Sequence, residues 1–352
     1  LIHGAGQSPC AVKNICNLLR PLRGRLTGFK GVWIGGETTM NVLITGGYGF
    51  IGMYVTQKLL ADGHSVFIYD MLPKAPEGFE KTVNIRGDLL DQKSLFDAVY
   101  SNKIDQIVNL AALRNNDSQA YPYTAFKVNC EGFINCLEAV RIFGVERLVY
   151  ASSVAVLGRF DFYRTNHYDL ERIYELPEGC AVKPSNVYGV TKLFNEQMGE
   201  QYANIYGLKI IGARLPIIFG SGKKGGSKTS AFNDMIEQSY YGNPVTVELR
   251  EDKFNITYVK DAAKGIYCAT TAKDPKSGVY NTCGHTVDMY EYADTIKRVL
   301  PKAAITIHKT DMPQNQTNTC VDITEAGKQL GYTPDFTLEQ GILDHVKLAV
   351  EG

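Results

Sequence analysis

The sequence predicts an α/β protein, a doubly wound parallel sheet with a smaller C-terminal lobe, and three features of the 352-residue chain carry that expectation. From Met40 to about Ala151, short β-branched runs alternate with longer helical stretches, the pattern of βαβ units. A glycine-rich turn joins the first of those runs to the first helix. Beyond residue 215 the alternation gives way to shorter elements. A chain of this length exceeds the usual single domain. Residues 40–215 are therefore read as the sheet domain, and residues 216–352 mainly as the lobe, with some elements returning to the sheet domain.

Strands are expected at 41–45, 65–69, 83–87, 105–111, 146–151 and 208–214, and helices at 50–62, 91–101, 124–143 and 187–206. In the lobe the pattern predicts helices at 231–241, 288–299 and 338–349 and strands at 245–249, 278–282 and 303–308. Residues 1–39 differ in character: Lys13, Arg20, Arg23, Arg25 and Lys30 face a single acid, Glu37, among many glycines. Met40 directly precedes the first strand, so this stretch is read as a non-native or disordered extension. A basic transit peptide and an extra packed element are the competing readings.

Composition narrows the class. The 37 basic residues balance the 37 acidic ones, which removes any electrostatic reason to expect nucleic acid or an anionic membrane as partner. No run of 18 apolar residues occurs. The eight cysteines are scattered, without a CxxC pair or histidines at zinc-ligand spacing, so no metal is expected. They read as free thiols of a reducing compartment, hence a cytoplasmic protein.

The run VLITGGYGFIG sets Gly46, Gly49 and Gly52 between a strand and a helix. One glycine permits the tight turn, one lets the backbone approach a pyrophosphate, and one lets the helix pack closely on the strand. Phe50 and Ile51 open that helix, whose free N–H groups and positive dipole end suit phosphates. Such a turn marks a Rossmann-type domain. Asp70 ends the next strand, 21 residues after Gly49, where its carboxylate can accept both ribose hydroxyls. A 2'-phosphate would meet that carboxylate with no arginine next to it in sequence, which favours NAD over NADP. Asp88, followed by Leu89, either meets the adenine edge or caps the next helix. Leu110, Ala111 and Ala112 end the fourth strand, and the alanines are small enough for a cofactor to lie against or are plain core.

A Tyr and a Lys four residues apart share one helix face. That spacing occurs three times, at Tyr54/Lys58, Tyr123/Lys127 and Tyr188/Lys192, so position must choose among them. Only Tyr188 follows a strand ending in a hydroxyl pair, Ser152 and Ser153. Hydride transfer at a carbinol carbon needs a proton to leave or join its oxygen, and free tyrosine, with a pKa near ~10, is a poor base at neutral pH. A lysine ammonium and a positive nicotinamide ring favour the phenolate, while a serine hydroxyl can hold the substrate oxygen in line.

TGGYGFIG, Asp70, GDLLD, NLAAL, KVN ending at Asn129, YASSVAVLG, YGVTK and RLPIIFG occur in an order that resembles the extended short-chain dehydrogenase/reductases, which include sugar-nucleotide epimerases and dehydratases. The resemblance runs from Met40 to about Gly352. It implies catalytic roles for Ser153, Tyr188 and Lys192. It also implies cofactor-binding or supporting roles for Gly46, Gly49, Gly52, Asp70, Asp88, Asn129, Ser152, Tyr188, Lys192 and Pro216, the last near the nicotinamide. A homodimer through the helices near 124–143 and 187–206 is implied as well.

Four departures limit what it implies. Val154 and Ala155 stand where dehydratases of the family carry an Asp-Glu pair, so no general acid is present to expel a sugar hydroxyl. Ile217 replaces an Asn, and Phe254 an Arg, at positions that serve the nucleotide diphosphate in sugar-nucleotide enzymes. Ser153 and Tyr188 are 35 residues apart, longer than the family's usual spacing. Lys223, Lys224, Lys228 and Arg250 are candidate replacements for the lost phosphate contacts, or simply solvated charges. The leading expectation is an NAD-dependent dehydrogenase or reductase of a small polar metabolite, namely a sugar, a sugar acid or an amino-alcohol acid. The alternatives are a UDP-sugar 4-epimerase and a non-catalytic NAD-binding scaffold.

Overall fold

The structure, a computed structural model, describes residues 33–34, 37–158, 162–163, 175–222, 231–248, 253–308 and 321–350. The chain divides into two units, Leu1–Thr39 and Met40–Gly352. In the first, β1 (Trp33–Ile34) and β2 (Glu37–Thr38) pair antiparallel. Lys223, Lys224, Lys228, Arg250 and residues 159–161 and 164–174 of the long segment between Ser153 and Tyr188 lie outside the described residues.

The second unit is built on a seven-stranded parallel sheet. Its strands are β3 (Asn41–Thr45), β4 (Ser65–Asp70), β5 (Val83–Arg86), β6 (Gln106–Asn109), β7 (Arg147–Ser153), β8 (Lys209–Leu215) and β12 (Gly278–Asn281), in spatial order β5-β4-β3-β6-β7-β8-β12. β3 shows why this segment is a central strand. Val42 and Ile44 face one layer of helices, Leu43 faces the other, and all three are fully buried. One layer holds α1 (Phe50–Ala61), whose Val55 and Leu59 meet Ala262, Ala263 and Ile266. The other holds α2 (Gln92–Ser101) and the helices that follow β6 and β7, packed through Leu95, Phe133, Leu137 and Tyr150. Strand order reverses between β3 and β6, and at such a switch point the carboxyl ends of the strands leave a crevice.

The helix expected at 124–143 is instead a series. α3 (Asn115–Ala120) and α4 (Pro122–Phe126) lead into a π-turn, Lys127–Glu131, and then α5 (Gly132–Phe143). The wider turn carries Asn129, a placement that period-counting along the sequence does not register. α6 (Val187–Tyr206) runs over the expected residues and ends at Gly207, whose φ of 68° is readily adopted only by glycine.

At Pro216 the chain leaves the large sheet. A proline has no N–H for the ladder, and β9 (Ile217–Phe219) restarts in a three-stranded sheet with β11 (Phe254–Tyr258) and β13 (His285–Val287). β10 (Pro244–Glu248) pairs in parallel with β14 (Ala304–His308). Around these strands pack α7 (Ala231–Tyr241), α9 (Met289–Val299) and α11 (Leu338–Val350). Residue 215 divides the chain order but not the packing, because α8 (Val259–Thr271) and β12 join the large sheet and its helical layer. α10 (Thr324–Leu330) sits over the same core through Ala326 and Leu330. α3, α8, α10, β9, β11 and β13 were not expected from the sequence pattern.

Candidate active site

The glycine turn lies at the switch point. Gly46 has a φ of 68°, and a Cβ there would stand 2.9 Å from the backbone of Ala111, so the loop after β3 touches the end of β6. A Cβ on Gly52 would fall 2.6 Å from the Gly46 carbonyl, and one on Gly49 3.1 Å from it. These three positions form a cradle that side chains would fill. No side chain caps α1, which leaves its amino end to an external acceptor. The residues fit the pyrophosphate of a dinucleotide.

Asp70 is half-buried at the end of β4, where it accepts hydrogen bonds from the backbone N–H of Tyr48 (3.4 Å) and Leu72 (3.1 Å). The sheet amends one expectation: no arginine neighbours Asp70 in sequence, yet the β4–β5 register sets Arg86 opposite it. Asp88 is exposed, and its carboxylate accepts from the N–H of Leu90. The cap of α2 is Asp91, which accepts from Ser94, so the capping alternative for Asp88 is corrected. Leu89 is buried, while Leu110, Ala111 and Ala112 are half-exposed along the crevice.

The Tyr-Lys spacings separate cleanly in space. Tyr54 donates to the Ser221 carbonyl and Lys58 stands over the Tyr267 ring, while Tyr123 is 75% exposed. Tyr188 and Lys192 instead lie in the first turns of α6, beside the end of β7. Asn186 caps α6 by accepting from the Gly189 N–H (2.8 Å). Gly189 has a structural reason: a Cβ there would come 2.4 Å from the Ala155 carbonyl oxygen, in the short 3-10 turn Val154–Val156, where the Ser153 hydroxyl accepts from the Ala155 N–H. The helix thus approaches the serine strand closely, and the Ser153 hydroxyl is near enough to the Tyr188 phenol to lower its pKa. The Lys192 ammonium stands 5.5 Å from the centre of the Tyr188 ring and donates to the Ala151 carbonyl (2.8 Å).

Burial pushes the Tyr188 phenol up to about 12, against lowering by the Ser153 hydroxyl and the positive charge of Arg114. Burial lowers Lys192 to about 8, opposed by Cys130 and by the Glu196 carboxylate one turn away. These shifts keep the Tyr188 phenol protonated at neutral pH and make the Lys192 ammonium easier to deprotonate than a solvated lysine.

Two supports surround the pair: Asn129, which the resemblance implied, and the Glu196–Arg214 pair, which motif spacing does not signal. Asn129, buried, accepts from the Leu113 N–H (2.7 Å) and donates to the Leu113 carbonyl and to Thr191 Oγ1, which itself donates to the Tyr188 carbonyl. All its polar atoms are spent on holding α6 to the end of β6, a supporting role. Ser152 is 1% exposed and donates to Glu196 (2.5 Å), so its hydroxyl is turned away from the crevice. Glu196 in turn takes a two-pronged bond from Arg214, at 2.9 and 2.8 Å, both side chains buried. Pro216 is half-buried just beyond β8. Arg114, exposed at the start of α3, adds a positive charge that lowers the Tyr188 phenol, and sequence reading did not single it out.

The model of the NAD dependent epimerase/dehydratase family matches residues 42–283. The chain belongs to that family. An uncharacterised UDP-glucose epimerase of Bacillus subtilis is 27% identical over 331 residues, 87% of this chain and 97% of its own. The mitochondrial L-threonine 3-dehydrogenase of Bos taurus is 26% identical, covering 85% of this chain and 80% of its own. Among solved structures, a Thermus thermophilus UDP-glucose 4-epimerase in complex with NAD superposes with a TM-score of 0.72 at 25% identity, over 88% of this chain and 98% of that one. As a member of the NAD dependent epimerase/dehydratase family, the chain is an NAD-dependent enzyme of the extended short-chain dehydrogenase/reductase type. Among the described residues, no helix is long and apolar enough to cross a membrane.

Proposed function

We propose that this chain catalyses net NAD-dependent oxidation of a hydroxyl, and the reverse reduction, in a small polar acid of the amino-alcohol type, with L-threonine the first substrate to test. The carrying observation is the hydrocarbon at two positions where sugar-nucleotide relatives place diphosphate contacts. Phe254 is fully buried against Phe232 and Tyr292, and Ile217 pairs with Ile256 in the β9–β11 register. Neither offers a hydrogen bond to a phosphate.

Gly46, Gly49, Phe50, Ile51, Gly52, Asp70, Asp88 and Leu89, with Leu110, Ala111, Ala112 and Pro216, would hold NAD, which when bound would supply the hydride acceptor. Ser153 donates to the substrate oxygen and fixes its position. Tyr188 takes the hydroxyl proton as the carbinol C–H bond yields its hydride, and returns it in the reverse direction. Lys192, charged, favours the Tyr188 phenolate.

Similarity to UDP-glucose epimerases supports a second reading, oxidation and re-reduction of a UDP-sugar without net NADH. Incubation with NAD and either L-threonine or UDP-sugars separates the two. NADH in proportion to product supports the dehydrogenase, and UDP-sugar interconversion without NADH overturns it. A cytoplasmic homodimer is also proposed, since exposed Phe126, Ile142, Val190, Ile205 and Tyr206 lie on or beside α5 and α6. Light scattering giving a monomer at micromolar concentration, or cell fractionation placing the chain outside the cytoplasm, contradicts that part.

A further inference from the structure

Tyr188, Lys192 and Glu196 follow one another at single turns along α6, and the second and third are tied to consecutive residues of β7. Lys192 donates to the Ala151 carbonyl (2.8 Å), and Glu196 accepts from the Ser152 hydroxyl (2.5 Å). The next residue, Ser153, is the proposed contact to the substrate oxygen. The Lys192 bond runs through a long, flexible stem. The Glu196 carboxylate, by contrast, is held from a second strand as well: Arg214 of β8 donates to it through Nε (2.9 Å) and Nη2 (2.8 Å). Ser152, Glu196 and Arg214 are all buried, and Arg214 stands opposite Ser152 in the β7–β8 register. A third donor of the same guanidinium, Nη1, reaches the Glu178 carbonyl (3.0 Å).

A buried two-pronged ion pair fixes orientation as well as distance. As a source of stability it is weak, because desolvation of the two charges offsets their attraction, and hydrocarbon side chains could fill the same space. Hydrocarbon could not hold the Ser152 hydroxyl. We infer that Glu196 is a positioning residue for proton transfer: it locks the register of α6 on β7, so that Ser153 and the Ala151 carbonyl stay in place for Tyr188 and Lys192. Ser152 shares the α6-facing side of β7 with Leu148 and Tyr150, so its hydroxyl pins the strand on that side one residue before Ser153. The carboxylate also acts through its charge. Lys192 faces Tyr188 and Glu196 on its own helix and Cys130 in the π-turn, and the Glu196 charge opposes the lowering of Lys192 by burial.

The inference rests on the proposed proton transfer at Tyr188 and holds with or without net NADH. The test uses wild type, Ser152→Ala, Glu196→Gln and Tyr188→Phe, each with NAD bound, on L-threonine and on UDP-glucose, with urea unfolding alongside. Ser152→Ala keeps the buried ion pair and with it the fold; its kcat should fall roughly tenfold, with KM and NAD affinity within about twofold of wild type. Glu196→Gln keeps an oxygen for Ser152 and removes the charge, so the pH at which kcat/KM levels off should move down by about half a unit or more. A packing role alone would lower urea stability and leave that pH and the split between kcat and KM unchanged. Wild-type kcat in Ser152→Ala, or a loss of stability in Glu196→Gln with no change in kcat or pH profile, overturns the inference, while an inactive Tyr188→Phe keeps the proposed chemistry. UDP-glucose interconversion without NADH, with the Ser152→Ala effect intact, overturns the dehydrogenase reading and keeps the inference. Full activity in Tyr188→Phe, or turnover of neither substrate by wild type, overturns both.

Discussion

Replacing Lys192 by Met keeps most of the side-chain stem and removes only the charge that favours the Tyr188 phenolate. At the observed 5.5 Å from the ring centre, a unit charge contributes about 3 kcal/mol at an effective dielectric near 20. That corresponds to roughly two pKa units of the phenol, or about a hundredfold in the phenolate population at neutral pH. The sign with pH follows from the pair. Lys192 is lowered to about 8 and Tyr188 raised to about 12, so the first proton lost on raising the pH is shared between them. The active form, phenolate with ammonium, carries one proton fewer than the form dominant at low pH. Its population therefore rises with pH and levels off once that first proton is gone, no higher than about pH 8. The variant has no ammonium to lose, so its rate keeps rising. The assay is kcat/KM for oxidation at saturating NAD between pH 6 and 10. The wild-type-to-variant ratio should be about a hundred below pH 8 and shrink above it. A ratio independent of pH, with Lys192→Met levelling at the same pH as wild type, refutes the electrostatic role.

Gly189→Ala places a methyl 2.4 Å from the Ala155 carbonyl, so backbone must move; a loss of about 1–3 kcal/mol in urea unfolding and a fall in kcat larger than any change in NAD affinity are expected. Wild-type kcat in that variant would show that the close approach of α6 to the serine strand is dispensable. Glu196→Leu leaves Arg214 buried without its carboxylate, and about 3–5 kcal/mol of stability should be lost in the same measurement. Asp70→Asn removes the carboxylate that repels a 2'-phosphate and leaves Arg86 opposite in the sheet, so the NAD-to-NADP ratio of kcat/KM should fall at least about tenfold, and an unchanged ratio places the discrimination elsewhere.

The first half of the fold was legible because its central strands, β3 and β6, are buried on both faces and its glycine turn has a fixed geometric task. Residues 41–45 and 187–206 have the bounds expected from pattern alone. The lobe was less legible. β9 is three residues long, β11 is buried at every position and so shows no alternation, and α8 reads as a small-residue stretch through Ala262, Ala263, Gly265 and Ala269. Within the site, Tyr188 and Lys192 could be chosen over two identical spacings by chain position, and the structure separates them from Tyr54 and Tyr123. Arg86 and the Glu196–Arg214 pair could not be read, because each matters through a neighbour that folding supplies: Arg86 through strand register, and Glu196 through Ser152.

The proposed chemistry is tested most directly by Tyr188→Phe in a paired measurement of NAD binding and NADH formation against product. Phe keeps the ring and lacks only the hydroxyl that exchanges the proton. One NADH per product in wild type is expected, with a loss of at least about a hundredfold in Tyr188→Phe at unchanged NAD affinity. Turnover in Tyr188→Phe within about tenfold of wild type, or product without NADH in wild type, contradicts it.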